Sequence, residues 1–162
     1  MSDASTADIY ILDANLLLRL AEVDHIMHPT AQNAVTSLTA SGMLLHTVPQ
    51  SLFEFWAVAT RPETVRGLGF TLEEARASLD QFVLTFPPLA DALDLFVRWR
   101  RLIEVYGVGG KQGHDARYIA AMQAHGLTHI LSFDADFNRY APEGITVVDP
   151  AGVLALPSSR PG

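Results

Sequence analysis

The stretch Ile9-Tyr10-Ile11-Leu12-Asp13-Ala14-Asn15-Leu16-Leu17-Leu18 constrains the fold more than any other part of the chain. Residues 9–12 are a continuous apolar run of β-formers, as a strand covered on both faces requires. Leu16, Leu17, Leu18 and Leu20 then favour a helix. Asp13 stands at the joint, at the carboxyl end of a strand, where open α/β sheets put their sites.

The same alternation continues along the chain. A strand over about 8–12 and a helix over about 14–22 are followed by a helix opened by His28-Pro29-Thr30, with Pro suited to the first turn. Ala31, Ala34, Val35 and Leu38 give that helix its apolar spacing, and Ser41-Gly42 ends it. A strand over 43–48 leads to Pro49, which opens a helix through Ala59 that Arg61-Pro62 closes. Thr71-Leu72-Glu73-Glu74 is a capping box that starts a helix to about Leu84. Phe86-Pro87-Pro88 breaks it, and no third strand is legible there. Asp91–Val105 reads as a helix, 107–113 as a glycine-rich loop, and His114–His125 as a helix stopped by Gly126. Strands follow over 128–132 and 146–148.

Strands separated by helices imply right-handed crossovers and a mainly parallel sheet, an α/β fold. The expected organisation is a flexible lead over 1–7, one domain over 8–150, and a C-terminal tail over 151–162. A length of 162 residues suits one domain with a full-sized core. No stretch reaches the ~18 apolar residues of a membrane span, and the polar N-terminus has no signal-peptide core. Cysteine is absent, so disulfides and thiolate metal sites are excluded and the cytoplasm is the default location. The net charge of −7 argues against broad nucleic-acid coating, which needs many cations against phosphates. It leaves room for a small site that meets phosphate through a metal. With glycine counted, apolar content is slightly above the ordinary range, which fits a doubly covered sheet and suggests a homodimer.

Acidic residues recur at positions the pattern brings to one edge. Asp13 ends the first strand. Glu54 lies in Ser51-Leu52-Phe53-Glu54-Phe55-Trp56, a helix apolar nearly all round, where an unpaired carboxylate is costly. Asp115 is expected to open the helix after the glycine-rich loop, and Asp134 and Asp136 leave the carboxyl end of a later strand. Taken singly, each also suits a helix cap, an ion pair or a polar turn. Together they meet at the carboxyl edge of a parallel sheet, because a helix leading into a parallel strand starts at that edge. Carboxylates gathered there repel one another unless a cation neutralises them. All-oxygen ligands select a hard ion, Mg²⁺ or Mn²⁺.

Leu12-Asp13-Ala14-Asn15, Glu54 in its helix, His114-Asp115-Ala116 and Leu131-Ser132-Phe133-Asp134-Ala135-Asp136-Phe137 occur in an order that resembles the PIN-domain family, most closely its VapC-type toxin ribonucleases. The resemblance covers roughly residues 8–148, with Ser132 where the family usually has Thr. It implies a Rossmann-like, three-layer fold with about five strands. It also implies Mg²⁺-dependent endoribonuclease activity on RNA and inhibition by a cognate antitoxin. On that reading Asp13, Glu54 and Asp115, with Asp134 or Asp136, hold one or two ions that activate water against the scissile phosphate. Asn15 and Ser132 would support the ligands. The products would carry 5′-phosphate and 3′-hydroxyl ends. A PIN nuclease of RNA processing and a catalytically silent PIN-fold binding module are the alternatives.

Other features carry less. Arg98, Arg100 and Arg101 surround Trp99 and would suit RNA phosphates with a stacking ring, but Asp94 and Glu104 sit at ion-pairing distance along the same helix. Arg61, Arg66, Lys111 and Arg117 are weaker phosphate candidates. His25 and His28 have no third ligand nearby and read as surface residues. No P-loop or G-x-G-x-x-G is present, so a nucleotide cofactor is not expected. A phospho-acceptor receiver domain would need a lysine after a late strand, and Lys111, the only lysine, lies elsewhere.

Overall fold

Strand β1 (Ile9–Leu12) divides its side chains between two cores, as the two-residue period of a strand dictates. Ile11 belongs to one core and Leu12 to the other, and both are fully buried. The same division recurs in β3 (His129–Leu131), where Ile130 faces the first core and Leu131 the second. The structure, a computed structural model, describes residues 6–154. Residues 1–5 of the expected lead and 155–162 of the expected tail lie outside the described residues, while Thr6–Asp8 form a 3-10 turn.

Beside β1 runs β2 (Leu44–His46), and beside β3 runs β4 (Thr146–Val148). The sheet order is β2-β1-β3-β4, with every pairing parallel. The sheet thus has four strands rather than about five. What stands in the fifth position is one isolated parallel bridge, Thr47 to Pro88. Leu89 N donates to Thr47 O at 2.9 Å, and Thr47 Oγ1 donates to Phe86 O at 2.8 Å. The Pro87-Pro88 pair has no N–H to donate, so the ladder stops after one bridge.

Helices α1 (Ala14–Ala21), α2 (His28–Ala40), α3 (Pro49–Ala59) and α4 (Leu72–Thr85) cover one face. Leu16, Leu17, Val35, Phe55 and Phe82 fill the core beneath them. Helices α5 (Leu95–Tyr106) and α6 (Lys111–Ala124) cover the other, together with a 3-10 segment, Ala135–Glu143, that follows β3. Leu102, Ile119, Met122, Phe137 and Tyr140 fill that second core. The result is the parallel α/β sheet expected from the sequence pattern, in the three layers that the resemblance implies.

Two helix starts differ from expectation. Helix α5 begins at Leu95, not Asp91, because Asp91 is engaged with Arg117 at 3.1 Å and the chain before it is held extended at Thr47. Helix α6 begins at Lys111, not His114. The turn is made by Gly110 at φ +58°, and Gly113 lies within the first helical turn. The expected capping box of α4 is present, with Glu74 N donating to Thr71 Oγ1 at 3.1 Å and Thr71 N to Glu74 Oε2 at 2.8 Å. A short 3-10 turn, Pro150–Gly152, packs on α2, and Asn33 Nδ2 donates to Val153 O at 3.1 Å.

Candidate active site

The chain leaves β1 toward β2 on one side and later returns to β3 on the other. The carboxyl ends of β1 and β3 therefore flank the crevice where strand order reverses, the usual place for a site in such sheets. Asp13 follows β1 and Ser132 follows β3. They meet across this crevice, with Ser132 Oγ donating to Asp13 Oδ2 at 2.5 Å. Asp13 also caps α1, its Oδ1 accepting from Leu16 N at 3.0 Å.

Asp13 is only 3% exposed. Burial pushes its carboxyl up from 3.8 to about 7, and the neighbouring charges of Asp134 and Glu54 push the same way. The hydrogen bonds from Ser132 and Leu16 pull it down but do not offset burial. Asp115, half-buried, is likewise raised to about 6, first by desolvation, with Lys111 opposing and Asp134, Glu54 and Asp136 adding repulsion.

Glu54 approaches from the second turn of α3. Gln50 Nε2 donates to its Oε1 at 2.7 Å, and Tyr118 Oη donates to its Oε2 at 3.0 Å. Ser51, on the same helix, anchors α3 to the strand end, its Oγ donating to Leu12 O at 2.7 Å. Asp134 starts the 3-10 segment, its Oδ1 accepting from Asp136 N at 2.9 Å while its own N–H meets Ser132 Oγ at 2.9 Å. Lys111 Nζ lies 3.5 Å from Asp134 Oδ2.

Asp13, Asn15, Glu54, Asp115 and Asp134 line one cavity of about 380 Å³, together with Arg61, Lys111, His114, Tyr118 and Phe137. Asp136 is exposed and does not line it, and Ser132 is buried behind Asp13. Asp115 does not open α6 as expected. It sits in the second turn, past the free N–H groups, so desolvation dominates its environment.

Among the described residues no three His, Cys, Asp or Glu side chains are gathered tightly enough to hold an ion directly. The donor set nevertheless fits a hard divalent cation. It is wholly oxygen, and Mg²⁺ usually takes one or two carboxylates and keeps several waters. Ser132 on Asp13 and Lys111 on Asp134 occupy two of the carboxylates as they stand.

Of the weaker candidates, Arg61 and Lys111 border the acidic cavity. Arg98, Arg100 and Arg101 are paired with Asp94, Glu104 and Glu143. Trp99 donates Nε1 to Gly113 O at 2.7 Å and lines a separate, mostly apolar cleft of about 800 Å³ with Phe96 and Arg117. Gln50 and Tyr118 were not marked by sequence reasoning. The signal was their spacing, since Gln50 lies one turn before Glu54 and Tyr118 three residues after Asp115, each on the face of its acid.

The chain matches the PIN domain family over residues 10–142. Ribonuclease VapC48 of Mycobacterium tuberculosis is 27% identical over 142 residues, which cover 85% of this chain and 94% of that protein. The crystal structure of Mycobacterium tuberculosis VapC20, a sarcin-ricin-loop-cleaving toxin, aligns with a TM-score of 0.60 at 20% identity, covering 85% of this chain and 96% of the other. VapBC2 from Rickettsia felis, solved bound to a DNA fragment from its promoter, aligns with a TM-score of 0.63 at 15% identity, covering 86% and 97%. These structural likenesses bear on the fold.

Proposed function

The chain belongs to the PIN domain family, and on that premise we propose that it is a Mg²⁺-dependent endoribonuclease, the toxin of a toxin–antitoxin pair. The carrying observation is that Asp13, Glu54, Asp115 and Asp134 line a single cavity at the strand-order reversal. The ribonuclease name of the relative and the toxin title of one structural neighbour, VapC20, support the same reading.

In this reading Asp13, Glu54, Asp115 and Asp134 hold Mg²⁺, or Mn²⁺ in its place, directly or through water, with Asp136 contributing charge from the rim. A divalent ion bound there supplies a Lewis acid that lowers the pKa of water and offsets charge on the scissile phosphate. Ser132 and Leu16 N orient Asp13, leaving each of its oxygens a further lone pair. Asn15, exposed at the cavity wall, is available to hydrogen-bond ordered water. Arg61 and Lys111 offset the negative field at the mouth and draw the phosphodiester in. No helix among the described residues is long and apolar enough to cross a membrane, and the proposed substrate is RNA in the cytoplasm. A cognate antitoxin is the proposed protein partner, and a homodimer the proposed assembly.

The test is RNA cleavage by the purified chain with Mg²⁺ and with chelator, followed by end-group analysis. Metal-dependent cuts leaving 5′-phosphate and 3′-hydroxyl ends, lost in D13N and D115N, are expected. Full activity in either variant refutes the assignment, and a wild-type chain that binds RNA without cutting it indicates a silent binding module. Growth arrest on expression, relieved by co-expression of a cognate antitoxin, tests the toxin reading separately.

A further inference from the structure

We infer that Tyr118 is a positioning residue, whose hydroxyl fixes the Glu54 carboxylate and its spacing from Asp13. The inference rests on the metal-nuclease reading and deepens it. Tyr118 is on α6, Glu54 on α3 and Ala14 at the start of α1. The hydroxyl stands 3.0 Å from Glu54 Oε2 and 3.2 Å from Ala14 N. A backbone N–H can only donate, so the hydroxyl accepts there and its single proton is left for the carboxylate. One oxygen therefore joins the backbone beside Asp13 to the side chain of Glu54, with both hydrogen-bond directions set.

The oxygen is held in place. Tyr118 is 2% exposed, and its ring meets Phe137 edge-on at 5.9 Å. Swinging the hydroxyl away would open the core. Glu54 Oε1 is held from the other side by Gln50, whose Nε2 is itself tied to His114 O at 2.7 Å. Both carboxylate oxygens are thus oriented by protein donors, and each keeps a lone pair for a further partner. A phenyl ring would serve packing alone. It would leave Ala14 N and Glu54 Oε2 without this partner, so the hydroxyl has a separable job.

The experiment is Mn²⁺ titration calorimetry on the metal-stripped full chain, with a thermal melt, for wild type, Tyr118→Phe, Glu54→Gln and Ile119→Val. Loss of a supporting hydrogen bond to a ligand typically weakens metal binding by ~10–100-fold. Tyr118→Phe should fall in that range, and its RNA cleavage should be lost at limiting Mg²⁺ and largely restored in excess. Ile119→Val removes a buried methyl from the neighbouring position of α6 and should lower the melting temperature with Mn²⁺ affinity intact. Unchanged Mn²⁺ affinity in Tyr118→Phe, with affinity lost in Glu54→Gln, overturns the role of Tyr118 and leaves the nuclease reading standing. Equal weakening in Ile119→Val assigns the effect to stability and also overturns it. A wild-type chain that takes up no Mn²⁺ removes the metal reading and this inference together.

Discussion

Replacing Asp13 by Asn should make the metal-free protein more stable at alkaline pH while disabling it. The carboxyl is 3% exposed and its pKa rises from 3.8 to about 7 on folding. A group whose folded pKa lies above its unfolded value binds more protons in the native state. Stability therefore falls as pH climbs from 3.8 through about 7. At ~1.4 kcal/mol per pKa unit, keeping this carboxylate ionised in the fold costs up to ~4 kcal/mol by about pH 8. Asn is permanently neutral and avoids that cost.

Asn cannot copy both hydrogen bonds, however. If its oxygen accepts from Leu16 N, its amide faces the Ser132 hydroxyl, which must turn its proton away. That mismatch costs ~1 kcal/mol. The net gain at about pH 8 is roughly 1–3 kcal/mol, or a melting temperature higher by roughly 3–9 °C for a chain of this size. Near pH 5 the native carboxyl is protonated while the unfolded one is already ionised, so roughly 1.6 of the ~4 kcal/mol persists and the mismatch nearly offsets it; the gain vanishes outright only below pH 3.8. Thermal melts in chelator at the two pH values measure the difference. D13N less stable than wild type at the higher pH, or an equal offset at both, would refute the burial argument. Adding Mg²⁺ should then raise the melting temperature of wild type and not of D13N.

The remaining predictions follow from the same geometry. Metal ligands must be deprotonated, so Mn²⁺ affinity should be weak near pH 5 and climb as Asp115 and Asp13 ionise at about 6 and about 7; a flat titration profile from about pH 5 to 8 would contradict the shared site. Asp134→Asn should reduce cleavage by at least ~10-fold more than Asp136→Asn, because only Asp134 lines the cavity; parallel kinetics on the two variants decide it. Ser51→Ala should cost ~1–3 kcal/mol in chemical denaturation, since Leu12 O and Val48 N both lose a buried partner.

The strand–acid–helix joint at Asp13 was readable because local pattern and long-range role coincide there. Buried β-formers, an N-cap and a switch-point carboxylate all call for the same residues. The start of α6 was not readable in that way. A glycine run can turn at any of its members: Gly107 at φ +61° stops α5 and Gly110 at φ +58° precedes α6, and nothing in the run marks which glycine does which. The residual fifth strand escaped for a different reason. One bridge at Pro88 leaves no periodicity to detect. Tyr118 and Gln50 lay hidden among apolar neighbours, where a polar tip serving a distant acid looks the same as a core aromatic or a surface amide.

The site's charge arrangement also accounts for the strength of the scaffold beneath it. Carboxylates buried at one sheet edge oppose folding, by desolvation first and by mutual repulsion second, as the raised Asp13 and Asp115 values show. That opposition must be met by parts of the molecule that do not take part in chemistry. The joint at β1 has Ile11 and Leu12 buried in opposite cores, so neither layer can retreat from the acids without exposing the other. Ser51 ties α3 to Leu12 O and Ser132 ties β3 to Asp13, closing the crevice from both sides. Lys111 supplies a cation at the open side, within 3.5 Å of Asp134. An arrangement that cost stability with no ion to bind would be expected to relax by neutral substitution, and the buried Asp13 is where that relaxation would gain most.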